Sequence, residues 1–206
     1  NTGFSVKAML RHRNDQPAGI LQYWRNDGET PGVKGDKNTF VHDITTAEVG
    51  VTLRYAPGET FVNTKQRRVP VSLDAPQFTL SHTAGFKGVL GGEYNFNLTE
   101  IGLRKRFLCG SWGKIDITAR AGAQWNKVPF PLLNLPMANL SYITQHNESF
   151  SLINNMEFLN DRYASLNLSY DMNGKLFNRI PLIKKLKWRE MFRIRGLWGT
   201  LTDKNN

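Results

Sequence analysis

Hydrophobic and polar residues alternate along most of this chain with a period of two. In the clearest run, Lys114 to Trp125, the residues Ile115, Ile117, Ala119, Ala121, Ala123 and Trp125 share one phase. Lys114, Asp116, Thr118, Arg120, Gly122 and Gln124 share the other. A helix would set Ile115 and Ile117 about 200° apart and scatter the apolar set, whereas a strand collects it on one face. The pattern recurs at Phe4-Val6-Ala8-Leu10, Ala47-Val49-Val51-Leu53-Tyr55, Phe78-Leu80-Ala84-Phe86 and Ile101-Leu103-Phe107. It returns at Phe150-Leu152-Met156-Phe158, Ala164-Leu166-Leu168-Tyr170 and Trp188-Phe192-Ile194-Trp198. Weaker candidates lie at Ile20 to Arg25, Tyr94 to Leu98 and Leu140 to Thr144. The expectation is about nine or ten strands and no amphipathic helix, an all-β chain.

Turn chemistry agrees with that reading. Asn14-Asp15-Gln16-Pro17, Cys109-Gly110-Ser111-Trp112-Gly113 and Asn160-Asp161-Arg162 are short connections between alternating runs. Longer connections span 26–43, 57–75, 126–136 and 171–185. No fixed-period repeat and no linker divides the chain, which is read as one domain over residues 1–206. Phe4 to Arg13 already alternates and no basic-then-apolar leader precedes it, so the expectation is an internal piece of a longer protein.

Composition changes the picture in two places. The single cysteine, Cys109, excludes an internal disulfide framework. A net charge of +10 raises a nucleic-acid partner, and a mean hydropathy of −0.43 argues against a helical membrane protein. The longest charge-free span, Val128 to Asn147, carries Pro129, Pro131 and Pro136 and cannot be a spanning helix.

A sandwich and a membrane barrel share this alternation, and the aromatic positions separate them. Phe4, Tyr55, Phe78, Phe86, Phe107, Trp125, Phe158, Tyr170, Trp188 and Trp198 stand at or near strand ends, all in the apolar phase. A sandwich buries its large rings mid-strand, whereas a transmembrane barrel sets them at both margins of its outer face. The opposite phase is charged or small, as a polar lumen requires. The expected fold class is therefore an antiparallel transmembrane β-barrel, present as an incomplete piece of a larger one.

Several longer motifs carry a family resemblance. These are Gly102-Leu-Arg-Lys-Arg-Phe107, Ser111-Trp-Gly-Lys-Ile115, Trp125-Asn-Lys-Val-Pro-Phe-Pro-Leu-Leu133, Gly174 to Glu190, and Arg195-Gly-Leu-Trp-Gly199. Together they resemble a family of Bacteroidota outer-membrane barrels that carry an N-terminal carboxypeptidase-regulatory-like domain. That barrel is similar to the BamA-like surface-antigen superfamily. The resemblance covers at least Arg54 to the C-terminus; the regulatory-like domain and the last strands with their terminal aromatic have no counterpart here. It implies location in the cell outer membrane and a role in anchoring, assembling or exporting envelope components. Its implied partners are outer-membrane lipids and other outer-membrane or periplasmic proteins.

One motif carries over by residue. BamA-like barrels have an Arg-Gly-aromatic motif on a loop that folds into the lumen, and Arg195 with Gly196 would be its arginine and glycine, a possible binding element. Leu197 stands at the aromatic position, with Trp198 one later. The other reading makes Arg195 one more polar-phase strand residue, continuing from Arg189 and Arg193. Pro129-Phe-Pro-Leu-Leu133 and Leu176 to Lys187 fall on the same rim by strand parity, where their apolar and basic mixture suits a membrane interface.

Other chemistry is thin. His12, His42, His82 and His146 show no metal-ligand spacing, and His82 in the apolar phase marks a bulge or an interface. Asp27, Glu29 and Asp36 lack the spacing of an EF-hand and read as a solvated loop. Cys109 has no nearby histidine, and no Gly-x-Ser-x-Gly elbow exists. The Asn-x-Ser/Thr matches at Asn97, Asn139, Asn147 and Asn167 are read as coincidence. The chain is expected not to be an enzyme and to use no cofactor and no metal. The alternative function is a passive channel or small-molecule transporter with a cationic lumen. A nucleic-acid partner is not expected, because charges and aromatics alternate onto opposite faces.

Overall fold

Antiparallel pairing of the alternating runs builds one seven-stranded sheet in a computed structural model, which describes residues 3–16, 23–24, 40–41, 43–66, 68–72, 74–139, 149–154, 156–203 and 205. Its strands are β1 (Phe4–Asp15), β4 (Ile44–Tyr55), β7 (Gln77–Gly85), β8 (Phe96–Leu108), β9 (Lys114–Gln124), β10 (Arg162–Asp171) and β11 (Met191–Thr200), in that spatial order. Two small ribbons sit in the connections. One pairs β2 (Tyr23–Trp24) with β3 (Phe40–Val41), and the other pairs β5 (Phe61–Asn63) with β6 (Arg68–Pro70). A six-residue helix, α1 (Pro181–Leu186), starts on Pro181 at its first position and stops at Lys187, whose φ is 53°.

Register explains the alternation in three dimensions. A single row crosses all seven strands through Val6, Leu53, Leu80, Ile101, Ala121, Ala164 and Trp198. One residue along each strand, the row is Lys7, Thr52, Ser81, Glu100, Gly122, Tyr163 and Gly199, on the opposite face. The apolar face is open: Val6, Leu80, Ile101 and Trp198 are 43% to 62% exposed. The polar face is covered toward the upper rim and open elsewhere, as at Lys7, Arg104 and Arg193. Thr46, Glu48 and Gln124 are buried there, and Asn134 to Met137 and Phe150 lie over Glu100, Thr118 and Tyr163. A small apolar core of Phe96, Val128 and Leu133 closes its upper end, where the chain leaves β9.

The sheet is not a barrel. Its edges, β1 and β11, stay unpaired with each other, and a barrel needs that last ladder to close. Six reversals leave β1 and β11 running in the same direction, so any ladder between them would have to be parallel, unlike the antiparallel pairing used everywhere else in the sheet. The expected transmembrane barrel is thus corrected to an open antiparallel sheet with two ribbons. Among the described residues no lumen is enclosed, so the expected cationic channel loses its basis as well. The outer-membrane location rested on barrel strands and loses that basis. Among the described residues, no helix is long and apolar enough to cross a membrane.

Two further expectations change. Phe150 to Phe158 is not a strand: it turns at Ser151 to Ile153, and Met156 adopts φ of 62°, which a strand does not permit. Removing that strand flips the parity. Pro129 to Leu133 follows β9 at the upper rim, whereas Leu176 to Lys187 joins β10 to β11 at the lower rim beside the Gly110–Trp112 turn. His82 marks no bulge, since the register runs unbroken through Val51, His82 and Thr99. His42, His146, Asn147, Asp27, Glu29, Asp36 and the candidate strand at Leu140 to Thr144 lie outside the described residues.

Candidate functional site

Charged chemistry concentrates on the polar face, where neighbouring strands bring opposite charges into register. Arg11 of β1 lies opposite Glu48 of β4 and donates from Nε at 2.7 Å to a carboxylate that is 5% exposed. Arg106 of β8 lies opposite Asp116 of β9 and holds it with two hydrogen bonds, of 2.6 and 3.0 Å. Lys114 Nζ stands 3.8 Å from Asp171 Oδ2 across the next ladder. The two-oxygen grip on Asp116 raises the Arg106 guanidinium above its ordinary range. Arg54 is raised in the same way by Glu59, which it holds at 2.7 and 2.6 Å. Glu59 belongs to the turn after β4, so this pair ties the turn to the sheet.

Nearer the sheet centre, the Tyr163 hydroxyl donates to Glu100 across two ladders. Burial and that carboxylate raise the phenol well above its usual range. Tyr163 fits because Gly122 lies beside it: a Cβ there would stand 2.4 Å from the ring. At the upper rim Asp161 is buried and accepts from the Thr202 amide at 3.1 Å, the Thr202 hydroxyl, and Asn205 Nδ2 at 3.2 Å. Burial alone would raise its carboxyl, but these hydrogen bonds outweigh burial and lower it.

Arg195 and Gly196 lie mid-strand in β11, opposite Asn167 and Leu166 of β10, and not at a loop tip. Arg195 points to the polar face and donates from Nη1 to the Ser149 carbonyl, which anchors the segment leading out of β9. Its Nε is buried without a partner in the described structure. Burial lowers this guanidinium below its ordinary range, and the neighbouring charge of Arg193 lowers it further. The backbone at Gly196 is open, with no atom within 4 Å of a Cβ built there.

The sequence alone did not expose several of these groups. Arg54 with Glu59 was detectable as a cation followed by a Pro-Gly turn and an acid. Asp161 with Thr202, forty-one positions apart, and Tyr163 with Glu100, sixty-three apart, carry no local signal. On the apolar face, His82 Nδ1 and Trp125 Nε1 each meet the Thr99 hydroxyl at 2.9 Å. Cys109 is free, and among the described residues no three His, Cys, Asp or Glu side chains converge as a metal site would require.

The family described as "Family of unknown function (DUF5686) C-terminal domain" matches residues 22–204, and the chain belongs to it. No curated protein and no solved structure matches the chain. The family found is one of unknown function, and it takes the place of the resemblance to Bacteroidota BamA-like barrels. With that resemblance go the surface-antigen and envelope-biogenesis roles it implied.

Proposed function

We propose that this member of the DUF5686 family is a non-enzymatic lipid-binding module, which lays its apolar sheet face against acyl chains and keeps its charged face turned away. The observation that carries this reading is the uncharged row from Val6 to Trp198, which crosses all seven strands with Val6, Leu80, Ile101 and Trp198 exposed and Leu53, Ala121 and Ala164 half-buried between them. Leaving such a face in water costs about 25 cal/mol for each Å² that a partner would otherwise cover. A surface of this extent marks an interaction site.

The chemistry at its margins favours lipid. Phe4, Tyr55 and Phe78 adjoin one another at the lower margin of β1, β4 and β7, where the Tyr55 and Phe78 rings stack at 6.4 Å. Phe107, Tyr170 and Phe192 occupy the lower margin of β8, β10 and β11. Trp125 and Trp198 stand toward the upper rim, and between the margins the residues are mainly Ala, Val, Leu and Ile. The amphipathic rings of Tyr55, Tyr170, Trp125 and Trp198 at the margins, with aliphatic residues between, suit the boundary between headgroups and chains. Lys105 falls in the apolar phase, but its Nζ bends to the Asp74 carbonyl at 2.7 Å, leaving its stem on the face and its charge at the rim. A nucleic-acid partner is disfavoured, because stacking platforms interleave rings with cations and this sheet separates them.

The test is tryptophan fluorescence in a chain that keeps Trp198 alone, the other tryptophans being Phe. Lipids brominated along their acyl chains are expected to quench Trp198 strongly, and aqueous acrylamide weakly. Strong acrylamide quenching with no effect of brominated lipid would overturn the reading.

A further inference from the structure

We propose that the polar face carries an oxyanion site, formed by Arg104, Arg193 and Arg195 around Thr118, Asn167 and Ser169, which takes a phosphate group. The register places these residues together. Arg104, Thr118, Asn167 and Arg195 form one row across β8, β9, β10 and β11. Ser169 and Arg193 face each other in the next polar row. The two outer arginines of the first row are three ladders apart, about 14 Å between backbones at ~4.8 Å per strand. Their side chains line one cavity of about 170 Å³ between them.

The charge balance of this cavity is what calls for an anion. Arg106 and Lys114 also reach it, but Asp116 and Asp171 answer them. Among the described residues no carboxylate pairs with Arg104, Arg193 or Arg195. Arg104, Arg193 and Arg195 thus line one small cavity with no carboxylate of their own, and the buried Nε of Arg195 lacks an acceptor. A buried donor without a partner costs about 1–3 kcal/mol, more for a charged group, and a bound anion oxygen would remove that cost. Burial lowers the Arg195 guanidinium most, and the nearby charge of Arg193 lowers it further, as expected of a cation with no counter-charge beside it.

Phosphate suits the site better than carboxylate. Planar guanidinium forks grip pairs of oxygens, and three forks offer more donors than the two oxygens of a carboxylate can accept. Hydroxyls at Thr118 and Ser169 are neutral groups able to meet the remaining oxygens. The site lies on the face opposite the apolar row, so it stands whether or not that row binds lipid. The phosphate could belong to a soluble ester or to a lipid headgroup, which share this chemistry.

Titration calorimetry of the full chain in nonionic detergent, with inorganic phosphate as the probe, tests the site. Saturable one-to-one binding is expected, weakened at least tenfold in both Arg104→Gln and Arg193→Gln. Both arginines are exposed, so far-UV circular dichroism should be unchanged in the variants. Lys7→Gln, on the same face but at the far edge, should bind like the wild type. Competition by glycerol 3-phosphate would identify a soluble ester as the source, and competition by phosphatidate micelles alone a headgroup; either supports the site. Absence of saturable binding, or wild-type affinity in either arginine variant, would overturn it.

Discussion

Single residues on the polar face differ by how completely their charge is answered. Asp116 and Glu59 each receive two hydrogen bonds from one arginine, whereas Arg195 has a carbonyl on one nitrogen and nothing on another. Asp161 is a buried carboxylate whose ionisation is linked to stability. Its folded pKa lies below the ordinary carboxylate value, so it contributes stability that is fully present above that value. The contribution is lost as pH falls through the depressed folded pKa. Asp161→Asn is therefore expected to cost about 1–3 kcal/mol at neutral pH. The gap between variant and wild type should narrow below about pH 3.9, the ordinary carboxylate value. Urea unfolding from pH 6 to pH 2 measures it, and a gap independent of pH would contradict the assignment. None of this could be read from sequence, because Asp161 and its partner Thr202 meet only after β10 and β11 have paired.

At the scale of elements, the alternation was legible because strand period is a local property. The apolar phases of Ala47 to Tyr55, Lys114 to Trp125 and Ala164 to Tyr170 coincide with β4, β9 and β10. The failure at Phe150 to Phe158 has a local cause that periodicity does not register, a left-handed Met156 inside an otherwise alternating run. That one error carried the parity of the following connections with it. Glycine positions show the reverse case, a need visible only in three dimensions. Gly85 ends β7 beneath the buried Phe96 ring, and a Cβ there would lie 2.2 Å from a ring atom. Since Phe96 is part of the upper core with Val128 and Leu133, it has little room to yield. Gly85→Ala is expected to destabilise the protein by about 1–3 kcal/mol, read as a lower urea midpoint with unchanged slope. Full wild-type stability would show that the ring moves freely.

Across the whole molecule, the +10 charge and the low mean hydropathy of −0.43 turn out to describe two faces averaged together. Arg54, Arg104, Arg106, Lys114, Arg193 and Arg195 all lie on the polar face, while the opposite face is mainly aliphatic and aromatic. Which residues share a face was legible in the sequence. Whether the sheet closes was not, because closure depends on the number of strands and the direction of the last one relative to the first. The family match is to a domain of unknown function, so the exposed apolar face itself supports the lipid-binding reading. The most direct test is a spin-label scan of β8 from Thr99 to Phe107, one labelled cysteine at a time in a Cys109→Ser background with phospholipid vesicles. Labels at Ile101, Leu103 and Phe107 should show maximal collision with oxygen, and those at Gly102 and Arg104 with a water-soluble nickel chelate. Nickel maxima at Ile101, Leu103 and Phe107, or no two-residue period at all, would contradict the account.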